Sequence, residues 1–269
     1  MAQKIQFGAI HNRLPLNQML LSSVRPLAHA GLIVFLTLLT QIGGLAWLAA
    51  LFFRWRIAAF LVIYTALTFA TLFVAPIFGR EAITCQSGAP LKMQSWIYCA
   101  LNRQYVTPEL HQAAKDLALA LDKDNPGTLT LALDGSFPFF DGFPLLPHLS
   151  HDDGEKLDLA FFYRDSSGYK PGVTRSPIGY FAFEDGPTHC PKRWVSLRWD
   201  FAWLQPLWRG LPLEDMRMRA TIQWLATDPR IGKVLLEPHL LERYGIQSEK
   251  FRFQGCRAAR HDDHFHIQL

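Results

Sequence analysis

Residues 26–53 contain no Asp, Glu, Lys or Arg, and neither do residues 57–79. The first run includes GLIVFLTLLTQIGGLAWLAALFF and the second is IAAFLVIYTALTFATLFVAPIFG. An α-helix rises about 1.5 Å per residue, so about 20 apolar residues cross a hydrocarbon core of about 30 Å. Both runs meet that length. Only Arg54, Trp55 and Arg56 separate them, which predicts two transmembrane helices over 27–79 joined as a tight antiparallel hairpin. The N-terminal segment, 1–26, and the rest of the chain would then face the same side. A secretory signal fits the first run poorly, because the run is long, starts late and is followed by a second span. Arg54 and Arg56 favour a cytoplasmic turn, whereas Lys4, Arg13 and Arg25 pull the other way.

Beyond residue 80 the pattern changes to that of a globular domain. PELHQAAKDLALALDKD (108–124) has helical periodicity, a Pro near its start, and Asn125, Pro126 and Gly127 to end it. TLTLALDGS (128–136) alternates like a strand, and the Phe-, Pro- and Gly-rich stretch 137–150 reads as a loop. LDLAFFY (157–163) predicts a strand, and 169–180 a loop with turns. Residues 212–229 predict a second helix, and 233–245 a short strand running into a short helix. HFHIQL (264–269) is a closing strand. Strands interspersed with packing helices define an α+β domain. We expect a mainly antiparallel sheet with flanking helices, organised as a connecting helical region, 80–127, and a domain over 128–269.

Composition adds three points. Apolar residues make up 49% and charged residues 19% of the 269, an excess concentrated before residue 80. The net charge of +4 suits an anionic lipid surface or an anionic wall polymer, and the absence of a long Lys/Arg run makes nucleic acid an unexpected partner. Cys85, Cys99, Cys190 and Cys256 form no CxxC pair and no zinc-finger spacing. Their even number suits two disulfides in an oxidising compartment. Cys85 with Cys99 and Cys190 with Cys256 is one of three possible pairings.

Half of the ten histidines fall in two clusters, His148 and His151, then His261, His264 and His266. On a strand, His264, His266 and Gln268 share one face while Phe265, Ile267 and Leu269 face the other, as a core requires. His151 lies in the turn-rich SHDDGEKLD and Asp158 opens the next strand, with Gly154 allowing the bend between them. Two imidazoles and a carboxylate leave a fourth position open, the mark of a catalytic rather than a structural zinc. Mixed N/O donors also argue against a thiolate site.

The spacing His151-x-x-Gly154-x-x-x-Asp158 followed by His264-x-His266 resembles the LAS metallopeptidases, the lysostaphin-type and D-Ala-D-Ala-type zinc peptidases. Within that group the chain is most similar to the penicillin-insensitive murein endopeptidase branch. The matching stretches are H-x-S-H (148–151), IGKVLLEPHLLERYG (231–245) and H-x-x-H-F-H (261–266). The resemblance covers 128–269. It implies one Zn2+ per chain held by His151, Asp158 and His266, with His264 beside the metal as base or transition-state stabiliser; the chemistry of such a site would have His261, three residues earlier, orient His264 or hold the developing oxyanion. It also implies hydrolysis of amide bonds in peptidoglycan peptides. His148 is expected at the surface or in a supporting role, and His11, His29, His111, His189 and His239 as ordinary residues. Such chemistry, with the cysteines, favours an external domain on the inner membrane, anchored in the bilayer by 27–79. Two other functions share the pattern: a D-Ala-D-Ala-type carboxypeptidase or dipeptidase, and a non-catalytic zinc-stabilised wall-binding module.

Overall fold

The computed structural model describes residues 16–188, 190–191 and 201–269; His11, His189 and residues 1–15 of the N-terminal segment lie outside these. Three apolar helices come first: α1 (Leu16–Thr40), α2 (Gly43–Ala50) and α3 (Arg56–Val74), the last prolonged by a 3-10 turn over Ala75–Phe78. The domain then runs β1 (Glu81–Ala82), β2 (Leu91–Met93), α4 (Trp96–Ala100), β3 (Tyr105–Val106), α5 (Pro108–Asp124), β4 (Thr130–Ala132) and β5 (Lys156–Ala160). It continues through β6 (Arg164–Asp165), β7 (Gly168–Tyr169), α6 (Asp215–Thr227), β8 (Lys233–Leu235), α7 (Pro238–Tyr244), β9 (Phe251–Arg252) and β10 (His264–Gln268).

The first apolar run is not one helix, which corrects the expected hairpin. The chain breaks at Gln41, whose φ of 66° is left-handed, and α2 folds back along α1. The sequence reason is Gly43-Gly44. A Cβ on Gly44 would lie 1.9 Å from Thr37 Oγ1, and one on Gly43 2.6 Å from Thr40 Oγ1, so only glycine permits this approach. Trp47 of α2 then meets His29 of α1 and Phe60 of α3, with ring centroids 5.9 and 5.6 Å apart. The turn at Arg54–Arg56 therefore joins the short α2, not a full span, to α3. Among the described residues one helix, Arg56–Phe78, is long and apolar enough to cross a membrane, and little of it is buried; the apolar stretch Val24–Thr40 is shorter.

These helices are fastened to the domain. Asn102, itself at φ 57°, donates to Thr40 O (3.4 Å) and to Tyr64 Oη (3.3 Å), and Tyr64 donates to Ala100 O (2.6 Å). Thr71 Oγ1 and Tyr105 Oη share a buried hydrogen bond of 2.6 Å. Both long helices thus direct their C-terminal portions at the domain, which differs from an antiparallel pair.

The main sheet has six strands in the order β2-β4-β5-β10-β8-β9. It is mainly antiparallel, as expected, with parallel edges: β4, β5, β10 and β8 pair antiparallel, while the edge pairs β2–β4 and β8–β9 are parallel. α5 forms where the periodicity predicts it. Thr107 caps it by accepting from Leu110 N, Pro108 opens it, and Leu110, Ala114, Leu117 and Leu121 face the core. Those side chains share one core with Leu157 and Leu159 of β5 and with Phe265 and Ile267 of β10. Alternation sends Asp158, His264 and His266 to the opposite face of the same two strands. The expected cysteine pairs form: Cys85 with Cys99 and Cys190 with Cys256.

Gly154 lies against Arg80, just beyond the apolar helices, in the loop that leads to β5. Its φ is 77°, its carbonyl accepts from Thr107 N (2.8 Å), and a Cβ there would come within 2.5 Å of the buried Arg80 side chain. Gly154→Ala should therefore lower stability by about 1–3 kcal/mol, the order expected for a strained left-handed residue, before any cost of displacing Arg80. Denaturant unfolding of the detergent-solubilised chain measures this, and an unchanged midpoint would contradict the packing.

Candidate metal centre

Register alone brings the first two site residues together. In the β5–β10 ladder His266 stands directly opposite Asp158, and His264 opposite Ala160. Facing residues of an antiparallel pair have Cβ atoms about 4.5–5.5 Å apart, within reach of a shared ion. His151 arrives from the loop before β5. Its Nδ1 lies 2.9 Å from the carbonyl of Gly135, which makes Nδ1–H the donor and leaves the Nε2 lone pair facing inward.

The three predicted ligands form a tight triangle. His151 Nε2 is 3.1 Å from His266 Nδ1 and 3.3 Å from Asp158 Oδ1, and His266 Nδ1 is 2.9 Å from the same oxygen. A tetrahedral ion with bonds of about 2.0–2.1 Å has donor atoms about 3.3 Å apart, so the donor set fits zinc in spacing as well as in chemistry. His151 and Asp158 are 1% exposed and His266 3%, so the three groups converge where a buried carboxylate needs a positive partner, a proton or a cation. His148 corrects the expectation of a surface or supporting residue: His148, His151 and Asp158 form a group that could hold a metal ion, with ligand atoms within 4.8 Å of one another. The triangle with His266 is tighter, because His148 Nδ1 is 3.5 Å from Asp158 Oδ2 and is engaged by Asp134 Oδ2 at 2.8 Å.

Electrostatics follow from burial and these partners. Burial opposes the charged form of Asp158, but the imidazoles of His151 and His264 outweigh it and hold the carboxyl well below its usual range. Burial pushes the His266 pKa down to about 4, keeping the ring neutral as a ligand must be. At His264 burial is overcome by the carboxylates of Asp158 and Asp263, which lift it to about 9 in the metal-free site. His264 Nδ1 is hydrogen-bonded to Asp263 Oδ1, and its Nε2 is 3.6 Å from Asp158 Oδ2. His261 lies tilted against His264 and edge-on to His266, at centroid distances of 5.0 and 5.4 Å. Burial, and then its imidazole neighbours, keep His261 neutral.

All five predicted site residues line one cavity of about 350 Å3. It opens between the Pro147–Ser150 loop and the segments carrying Phe181, Phe183 and Ala258–Arg260. His29, His111 and His239 stand outside it, His111 paired with Glu81 near the surface.

Four contributors escape sequence reading. Asp134, Arg103, Tyr180 and Asp263 carry no motif of their own, and only Asp263, next to His264, had a local clue. Arg103 grips Asp134 with Nε and Nη2 at 2.6 and 2.8 Å, and its Nη1 donates to Leu146 O. Burial would raise the Asp134 carboxyl, yet Arg103 and then His148 hold it well below its ordinary value. Burial, with Asp134 and Asp158 nearby, keeps the Tyr180 phenol protonated.

The chain matches no family model, and no curated protein is significantly similar to it. The resemblance to LAS peptidases therefore rests on the sequence motifs alone.

Removing one member of the buried Arg103–Asp134 pair leaves the other charge uncompensated. Arg103→Met should cost about 3–5 kcal/mol in unfolding free energy, read by denaturant titration. A loss below about 1 kcal/mol would show that Asp134 finds adequate partners without it.

Proposed function

We propose that this chain is a membrane-anchored zinc metallopeptidase that hydrolyses amide bonds in the peptides of peptidoglycan. The observation that carries the reading is the triangle of His151 Nε2, Asp158 Oδ1 and His266 Nδ1 with His264 beside it in the same cavity. When bound, zinc lowers the pKa of a water towards about 7 and polarises a carbonyl. Asp263 fixes the His264 ring through Nδ1, and a cation that offset the Asp158 carboxylate would lower the raised pKa of this imidazole, so that Nε2 would be the atom to take a proton from water and return it to the leaving amine. The neutral His261, beside that ring, orients it and the scissile carbonyl. His148, held by Asp134, completes the wall of the site next to Asp158.

The substrate class rests on the resemblance to murein endopeptidases, and three further features are consistent with it. The disulfides suit an oxidising compartment, the exposed apolar helix Arg56–Phe78 suits a lipid bilayer, and the net charge of +4 suits an anionic wall polymer. In this reading the domain lies outside the inner membrane.

The purified chain should carry about one zinc, and a chelator should abolish its activity on purified peptidoglycan. His266→Ala should lose both metal and hydrolysis. His264→Ala should keep zinc while turnover falls by roughly 10²–10⁴-fold, the usual effect of losing an acid/base group. A zinc-free, folded wild type would sink the metal reading. A wild type that binds zinc but leaves peptidoglycan peptides intact would favour a non-catalytic wall-binding module.

Topology is tested separately. A reporter that works only after export, fused behind Leu269, should be active, and a cytosol-dependent reporter at the same position silent. The opposite result would put the wall out of reach.

A further inference from the structure

We infer that the loop Ser176–Glu184 is a strap that positions the site, Tyr180 setting the metal-binding oxygen of Asp158 and Phe181 setting the Asp263 carboxylate behind His264. The inference rests on the metal reading above and adds to it residues that no motif supplies.

The bonding at Tyr180 admits one arrangement. Asp134 N–H lies 3.1 Å from the phenol oxygen and can only donate, so that oxygen accepts. The single phenol proton then points along the 2.7 Å contact to Asp158 Oδ2. With Oδ2 engaged, Oδ1 is the oxygen left to face His151 and His266. A carboxylate free to spin about its terminal torsion would offer either oxygen; this one is locked. The Tyr180 ring also meets both His148 and His264 edge-on, at centroid distances of 4.8 and 5.0 Å, while those two imidazoles lie 6.3 Å from each other.

The next residue serves the other half of the site. Phe181 N–H donates to Asp263 Oδ2 at 2.6 Å, while Asp263 Oδ1 holds His264 Nδ1. Phe181 has a φ of 64°, unfavourable for an aromatic residue, and such a conformation persists only where its surroundings enforce it. They do. Its carbonyl accepts from Trp208 Nε1 (2.6 Å) and from Gln205 Nε2, and Gln205 Oε1 accepts from Phe183 N at 3.1 Å. Ser176 Oγ ties down the Tyr180 carbonyl at 2.6 Å. The strain thus sits at a residue whose N–H is held by Asp263 and whose C=O is held by Trp208 and Gln205.

The test uses the full chain in detergent and two variants. For Tyr180→Phe, zinc affinity is measured by competition with a chromogenic chelator, and the carboxylate environment by the visible spectrum of the Co2+ form. We expect affinity to fall 10–100-fold, the range for losing a group that orients a ligand, with a changed cobalt spectrum. A Tyr180 that merely packs would lower the melting temperature of the metal-free protein and leave affinity and spectrum as in wild type, which would overturn the proposal. Gln205→Ala, outside the cavity, slackens Phe181 instead. It should lower kcat several-fold with KM and zinc content retained; unchanged kcat would overturn the strap even if Tyr180→Phe failed to fold. Loss of zinc binding by the wild type itself would remove the metal reading, an outcome distinct from equal affinity in wild type and variant.

Discussion

Moving an ionised carboxylate out of water costs several kcal/mol even after relaxation, so Asp158, 1% exposed, dictates what surrounds it. Its Oδ1 is shared by two imidazoles, and Oδ2 accepts a hydrogen bond from the Tyr180 phenol, with His148 and His264 within 3.6 Å. These partners come from a loop, a neighbouring strand and a strap, and each must be held by something else. Gly135 holds His151, Asp134 holds His148, Asp263 holds His264, and Arg103 holds Asp134. The site is a nested set of buried charges, each satisfied by the next. Removing an inner member therefore leaves an orphan rather than a simple gap.

Much of this was legible in the chain. Period-two alternation in HFHIQL placed His264 and His266 on the face opposite Phe265 and Ile267. The pairing of β10 with β5 then put His266 against Asp158. Helix α5 and the loop 137–150 also follow their local signals, because capping residues and apolar spacing act over a few positions. What could not be read depends on long-range contacts. The break at Gln41 depends on an amide that bonds both Phe139 O (2.6 Å) and Phe139 N (2.9 Å), a residue far along the chain. A charge-free run looks the same whether it forms one helix or two, and Gly43-Gly44 reveals its purpose only against Thr37 and Thr40. The parallel edge pairs involve strands of two or three residues, too short to show a period. Tyr180 lay in a segment read simply as turns, since a hydrogen bond to a residue 22 positions away leaves no local trace.

The junction between the apolar helices and the domain has a mechanical consequence. Gln41 clasps Phe139, Phe78 packs edge-on against Phe139 and Phe140 at 4.9 and 5.5 Å, and Arg80 pairs with Asp141. All three fasten the loop whose far end carries His148 and His151; Tyr105 and Asn102 add bonds to Thr71 and Tyr64 of α3, and Asn102 one to Thr40 of α1. An enzyme on a slack tether samples a hemisphere of positions, whereas this domain is bolted along its helices without a linker. With those helices gripped by a bilayer, the cavity would keep one altitude and one tilt, and would search only by drifting sideways. Its working range would be a thin sheet parallel to the membrane, and bonds in deeper layers of polymer would escape it unless they were brought down to that height.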